Sequence, residues 1–174
     1  MKIILGLGSN VGDKKFFLNQ AIRLLQSKQI ISNIELSSIY ESEALLPDGA
    51  PQDWNMSFYN MAVMGDCELS PKQVLTQIKL IEQEIGRINR GFWSPREIDI
   101  DILLFGDLNI VSEDLTIPHK FLLERDFALL PVNDLKPDWV YPREGLFFNQ
   151  KISDIIARNL VQANCQALDQ EEVA

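Results

Sequence analysis

Apolar positions along the chain recur at two periods, and each change of period marks an element. The apolar run Ile3-Ile4-Leu5 predicts a buried first strand over residues 2–7, ending in Gly6-Leu7-Gly8-Ser9-Asn10. Residues 13–27 shift to helical spacing, with Phe17, Ala21, Leu24 and Leu25 on one face. Residues 33–40 predict a second strand. Residues 45–57 carry two prolines, a glycine and two aspartates, which predicts a loop. A third strand follows over 58–67. Ser70-Pro71 then reads as a helix start, with Ser as N-cap and Pro in the first turn. Val74, Ile78, Ile81 and Ile85 supply its buried stripe, and Gly86 ends it. The fourth strand is 98–105. Gly106-Asp107 turns into a short strand over 109–111, and another short apolar element lies at 127–130. A terminal helix is expected over 153–163, before a loose acidic tail from Asp169.

The order strand, helix, strand, strand, helix, strand predicts an α+β fold. It is the ferredoxin-like βαββαβ pattern, a mostly antiparallel sheet with helices packed on one face. The expected division is a domain over 1–150, then a C-terminal helix and acidic tail over 151–174 that resembles the start of a linker.

Composition narrows the function classes. The 174 residues are 46% hydrophobic, enough for one domain with a sizeable core. A net charge of −9 argues against a nucleic-acid or membrane-surface partner, but not against an anionic small molecule held by arginines and Mg²⁺. Cys67 and Cys165 have no metal-ligand spacing and read as free thiols in a reducing cytoplasm. No apolar run approaches the ~18 residues of a membrane span.

The most informative stretch is Trp93-Ser94-Pro95-Arg96-Glu97-Ile98-Asp99-Ile100-Asp101-Ile102-Leu103-Leu104. On a strand, Asp99 and Asp101 share one face, with Cα atoms roughly 6.5 Å apart at about 3.3 Å rise per residue. Ile98, Ile100, Ile102 and Leu104 then fill the other face. Two carboxylates so placed can clamp Mg²⁺ for phosphate chemistry. An acidic solvent face explains the pair just as simply. Arg87, Arg90 and Arg96 beside it favour function, because guanidinium forks suit phosphate oxygens. The Gly6 to Asn10 segment lacks a complete dinucleotide or P-loop fingerprint and reads first as a tight turn. Phe58, Asn60 and Ala62 alternate on one strand face. An aromatic beside a buried amide suits a planar heterocycle, though core packing is the commoner cause. His119, the only histidine, cannot build a His-rich zinc site, and no Gly-x-Ser-x-Gly elbow accompanies it.

Taken in order, these segments resemble the 6-hydroxymethyl-7,8-dihydropterin pyrophosphokinase family of folate biosynthesis. The resemblance runs over residues 3–142. It is carried by Leu7-Gly8-Ser9-Asn10, Ser37-Ser38-Ile39-Tyr40, Phe58-Tyr59-Asn60-Met61-Ala62-Val63, Ile81-Glu82, Gly86-Arg87, Trp93 to Arg96, Asp99 to Leu103, Pro118-His119 and Arg125-Asp126-Phe127. It implies transfer of the diphosphoryl group of ATP to a reduced pterin, by a monomer. Asp99 and Asp101 are implied ligands of two Mg²⁺ ions, and Arg87 and Arg96 phosphate contacts. These four are the implied catalytic set. Gly8, Leu45, Phe58, Asn60, Trp93 and Phe127 are implied pterin contacts. On the ATP side the resemblance adds Ile102, Leu115, Thr116, His119 and Arg125. The chain departs from the family pattern at Glu41-Ser42-Glu43-Ala44, in a longer 46–55 loop, and at Lys79, Asn89 and Asp114. Loop 46–55 and Gly91-Phe92-Trp93 are expected to order when ligands bind. Two other readings stay open: a non-catalytic nucleotide- or pterin-binding module, and one module of a larger fused folate enzyme.

Overall fold

In the computed structural model, which describes residues 1–91, 93–158 and 165–168, the sheet is built around β1 (Lys2–Ser9). On one side β1 pairs with β5 (Asp99–Phe105), and on the other with β4 (Phe58–Asp66). β2 (Ser32–Leu36) and β3 (Tyr40–Ser42) take successive stretches of the far edge of β4, and β8 (Cys165–Ala167) lies beyond β3. Every pairing is antiparallel. With α1 (Lys14–Ser27) and α2 (Pro71–Ile85), this is the expected ferredoxin-like order.

Period-two alternation divides the interior into two cores. Ile3, Leu5 and Leu7 face α1 and α2, packing on Leu18, Ala21 and Leu25 of α1 and on Val74, Ile78 and Ile81 of α2. Leu18, and not the half-buried Phe17, anchors the α1 stripe. Truncating a fully buried member such as Ile78 to Ala would cost about 2–5 kcal/mol. Asp13 caps α1 by accepting from the Phe16 N–H, and a Ser70–Gln73 capping box starts α2. Gly86, at φ 102°, closes α2 in the left-handed conformation that glycine adopts without cost.

The opposite face also carries helices, where the sequence pattern placed none. Ile4, Ala62 and Met64 pack on Leu129 and Val132 of α3 (Asp126–Leu135) and on Ile152 and Ile155 of α4 (Ile152–Arg158). The short apolar element expected at 127–130 is thus part of a ten-residue helix. Residue 150 marks no change in packing, since α4 belongs to this second core. The rest of the expected terminal helix and the tail from Asp169 lie outside the described residues. β6 (Ile110–Val111) pairs with β7 (Thr116–Ile117) in a separate small ribbon.

Two strands depart from their simple patterns. The expected 33–40 strand breaks at residues 37–39. Ser37 Oγ, not a carbonyl, accepts from the Ala62 N–H at 2.8 Å, and Asp134 of α3 takes the Ser38 N–H and the Tyr40 hydroxyl. In β5, Leu5 of β1 opposes Ile102 while Ile4 opposes Leu104, so Leu103 is the extra residue of a bulge. Parity flips there, and Leu104 joins the second core instead of the face of Ile98, Ile100 and Ile102.

Candidate active site

The cleft of interest, about 960 Å³, opens on the α3 side of the sheet. Its floor is β1. Gly6 opposes Asp101 and Ala62, and Gly8 opposes Asp99 and Asn60. A Cβ on Gly8 would stand 3.1 Å from Asn60 Oδ1, and one on Gly6 would stand 3.0 Å from the Leu103 side chain. The two glycines thus leave a trough between the carboxylates of β5 and the amide of β4, where a flat ligand can lie on the backbone.

At one end stand the acids. Asp99 accepts from Arg87 Nη1 at 2.6 Å and from Arg96 Nη1 at 2.9 Å. Burial pushes its carboxyl up, but Arg96, Arg87 and Lys79 outweigh burial and hold it below its ordinary range. At Asp101 the relief from Lys79 and Arg125 falls short. Burial first, then the charge of Asp99, raise its pKa to about 6. The donor set suits a hard cation: two carboxylates and no nitrogen or sulfur ligand. Mg²⁺ characteristically takes one or two carboxylates and fills the rest of its shell with phosphate oxygens and water. Among the described residues, no three His, Cys, Asp or Glu side chains form a metal cage of their own. Arg96 Nε is buried without a partner there, a donor left over for an incoming anion.

Glu82 of α2 sets this end. It is buried, and it accepts from the Ile100 N–H at 2.8 Å, from Arg87 at 2.7 Å and from Lys79 at 3.0 Å. The loop over 87–98 is braced internally by Arg90 and Glu97, two of whose bonds measure 2.6 and 3.2 Å. Asn10 ties that loop to β1 by accepting from the Arg96 N–H. Trp93 sits on it, 46% exposed, with φ 64°, a left-handed conformation that costs about 1–2 kcal/mol in a non-glycine residue. Across the cleft, burial and then Arg125 and Lys120 lower the His119 pKa to about 4, so the ring is neutral. Its Nδ1 accepts from the Phe121 N–H, which leaves Nε2–H as the donor. The Arg125 guanidinium lies 4.4 Å from the Phe121 ring centre and 5.7 Å from that of Phe127.

The other end is lined by a buried amide and aromatic rings. Asn60 is buried, and its Nδ2 donates to Ser42 Oγ at 2.9 Å. Phe58, Phe127 and Leu45 line the same space. The structure therefore brings Gly8, Leu45, Phe58, Asn60, Trp93 and Phe127 to the cleft. It brings Arg87, Arg96, Asp99, Asp101, His119 and Arg125 there as well. Ile102 and Leu115 instead bury their side chains in the first core, and Thr116 lies half-buried in β7. Of the residues not singled out as contacts, Ser42, Glu82 and Lys120 line the cleft. Only Glu82 had a signal: it is the acid at helical spacing from Ile78, inside an apolar stripe.

Known proteins resemble this chain in sequence and in fold. Residues 4–137 match the family model described as 7,8-dihydro-6-hydroxymethylpterin-pyrophosphokinase. The chain is 39% identical over 140 residues to a 2-amino-4-hydroxy-6-hydroxymethyldihydropteridine pyrophosphokinase of Aquifex aeolicus, covering 80% of this chain and 83% of that one. It is 40% identical over 159 residues to a folate synthesis bifunctional protein of Chlamydia caviae, covering 91% of this chain but only 35% of that protein. A crystal structure of wild-type Plasmodium falciparum HPPK-DHPS superposes with a TM-score of 0.66 at 17% identity, over 94% of this chain and 46% of that one. At that identity the likeness is one of fold.

Proposed function

This chain belongs to the 7,8-dihydro-6-hydroxymethylpterin-pyrophosphokinase family, and on that premise we propose that it transfers the intact diphosphoryl group of ATP to 6-hydroxymethyl-7,8-dihydropterin. The hydroxymethyl oxygen attacks the β-phosphorus while the bond from that phosphorus to the α,β-bridging oxygen breaks. AMP leaves, the pterin diphosphate forms, and the hydroxyl proton is released. The observation that carries this reading is one cleft with an acid-and-arginine end and an amide-and-aromatic end, joined across Gly6 and Gly8.

Such transfer needs positioning and charge neutralisation more than covalent help. Asp99 and Asp101 would hold two Mg²⁺ ions, which when bound neutralise phosphate charge. Arg87 and Arg96 hold Asp99 in the ligand-free protein, and an entering polyphosphate competes for the same guanidiniums. Arg125 and the neutral His119 face the phosphates from the opposite wall. The adenine is assigned to the outer edge of β5 beside β7. Ile102 and Leu115 have buried side chains, so they and Thr116 would offer main-chain groups there. At the other end Asn60 reads the pterin edge, Phe58 and Phe127 stack on its faces, and Gly8 and Leu45 add backbone contacts. Trp93 covers the site.

An assay of ATP, Mg²⁺ and the hydroxymethyl pterin tests the reading. Pterin-dependent AMP is the expected product, and ADP would overturn it. Asn60→Ala should raise the pterin KM by about ten-fold, the cost of one well-made buried hydrogen bond, and leave the ATP KM unchanged. A second reading follows from the Chlamydia relative, of which this chain spans about a third: the same activity as one module of a longer folate-synthesis protein.

A further inference from the structure

We propose that β8, which lies outside the family-matched residues 4–137, is a positioning element of the pterin end of the cleft. The proposal rests on the pterin-binding reading above and deepens it.

Without β8, the three-residue strand β3 would be the outermost of the sheet at the point where it meets the cleft. Short edge strands hold their place poorly. Yet β3 carries Ser42, opposite Phe58, and Ser42 Oγ is the acceptor that turns the Asn60 amide. The other side of that amide is set by the close approach of Gly8. The position of β3 therefore decides which donor and acceptor Asn60 presents to a ring. Beyond Ser42 the chain continues directly into the wall residues Glu43, Ala44 and Leu45.

β8 holds β3 from outside. Tyr40 opposes Ala167, Glu41 opposes Gln166 and Ser42 opposes Cys165, while the Leu168 N–H donates to the Ile39 carbonyl at 2.8 Å. An antiparallel ladder alternates, so Glu41 and Gln166 form the next hydrogen-bonded pair, and Ser42 and Cys165 the close non-bonded pair. Opposed residues share a face, which puts Cys165 on the cleft face beside Ser42. There the thiol makes a hydrogen bond with Asp126. Burial and then Asp126 keep it protonated, with a pKa of about 12. Asp126 opens α3 between Arg125 and Phe127. The strand thus ties the edge beneath the pterin to the helix start that supplies the stacking ring. Leu168 secures it by packing on the first core.

Coupling between two sites is reciprocal: if docking of β8 favours pterin binding, pterin must favour docking of β8. Hydrogen exchange of the intact protein reads this directly. The probe is the reduced pterin with an unreactive ATP analogue and Mg²⁺. Slowed exchange at 165–168 together with 40–42 is the expected result. Unchanged exchange at 165–168 while 58–60 becomes protected would overturn the proposal. No protection at 58–60 and no pterin-dependent AMP would locate the failure in the functional reading itself, and this proposal would fall with it. Kinetics give a second arm. Gln166→Pro removes a ladder donor and should raise the pterin KM by about five-fold, with the ATP KM within about two-fold, whereas Gln166→Ala keeps the donor and should match the parent. Equal rises in both KM values would mean a general loss of stability and would count against a positioning role.

Discussion

Asp101 is held in a state that costs the fold. Its neighbour Asp99 has two guanidiniums within 3 Å, but Asp101 faces burial and a second carboxylate, and its pKa stands at about 6. A carboxyl whose pKa is higher folded than unfolded stabilises the fold only while protonated. That contribution is complete below about pH 4 and is lost as pH rises through about 6. Asp101→Asn mimics the neutral acid. It should make the protein more stable at pH 7, by on the order of 1–2 kcal/mol, while abolishing turnover. Denaturant melts at pH 7 and pH 4 check this, because the gain must vanish at the lower pH. Unchanged stability at pH 7 would mean that neighbouring cations already compensate Asp101. The shared face of Asp99 and Asp101 was legible in the sequence because alternation alone dictates it. The burial of Glu82 was signalled only by its helical spacing from Ile78, and its role could not be read before its partners, Arg87, Lys79 and the Ile100 N–H, were known.

Glu82 also shows how whole elements are coupled. It is the tie between α2 and β5, and its removal leaves Arg87 with Asp99 as its remaining carboxylate partner and the Ile100 N–H without its acceptor. Glu82→Ala should cost about 1–3 kcal/mol, the penalty of a buried donor left unsatisfied, read as a lowered urea midpoint at constant m-value. The brace inside the 87–98 loop acts differently, because its Arg90 end is exposed and it lies away from the cores. Glu97→Gln should leave global stability within about 1 kcal/mol of the parent. It should instead raise the ATP KM, because the loop carrying Arg87 and Arg96 loses its anchor to Arg90 and to the Ile88 N–H. A fall in kcat with unchanged ATP KM would contradict this. The same elements mark how far hydrophobic periodicity reaches. It found β1, β4, α1 and α2, whose apolar spacing is long and regular. It missed the break at Ser37, where a hydroxyl replaces a carbonyl in the ladder, and the bulge at Leu103, which no alternation can announce. It also missed β8, because a three-residue strand has too few positions to show a period.

The molecule as a whole carries a net charge of −9 and places two carboxylates in the cleft proposed to take a polyphosphate. Attraction must therefore come from local arrangement and not from the overall field. Four arginines and two lysines line the cleft, but Arg87 and Arg96 are already paired with Asp99, Lys79 and Arg87 with Glu82, and Arg90 with Glu97. A bare ATP anion would have to break those pairs and would leave Asp99 and Asp101 facing its phosphates. Mg²⁺ held by Asp99 and Asp101 would supply the positive charge that matches both the carboxylates and an incoming phosphate. Mg²⁺ and ATP together should consequently stabilise the protein where neither does alone. At a hundred times the dissociation constant, the gain would be about 2.7 kcal/mol, or several degrees in Tm. Thermal melts with ATP plus Mg²⁺, ATP plus a chelator, and Mg²⁺ alone separate the cases. Equal stabilisation by ATP in the presence of chelator would show that the arginines alone hold the nucleotide, and would remove Asp99 and Asp101 from nucleotide binding. The Asp101→Asn protein supplies the internal control. It starts from a higher Tm, and Mg²⁺ with ATP should raise it less than the parent, because one of the two carboxylates is gone while the arginines remain.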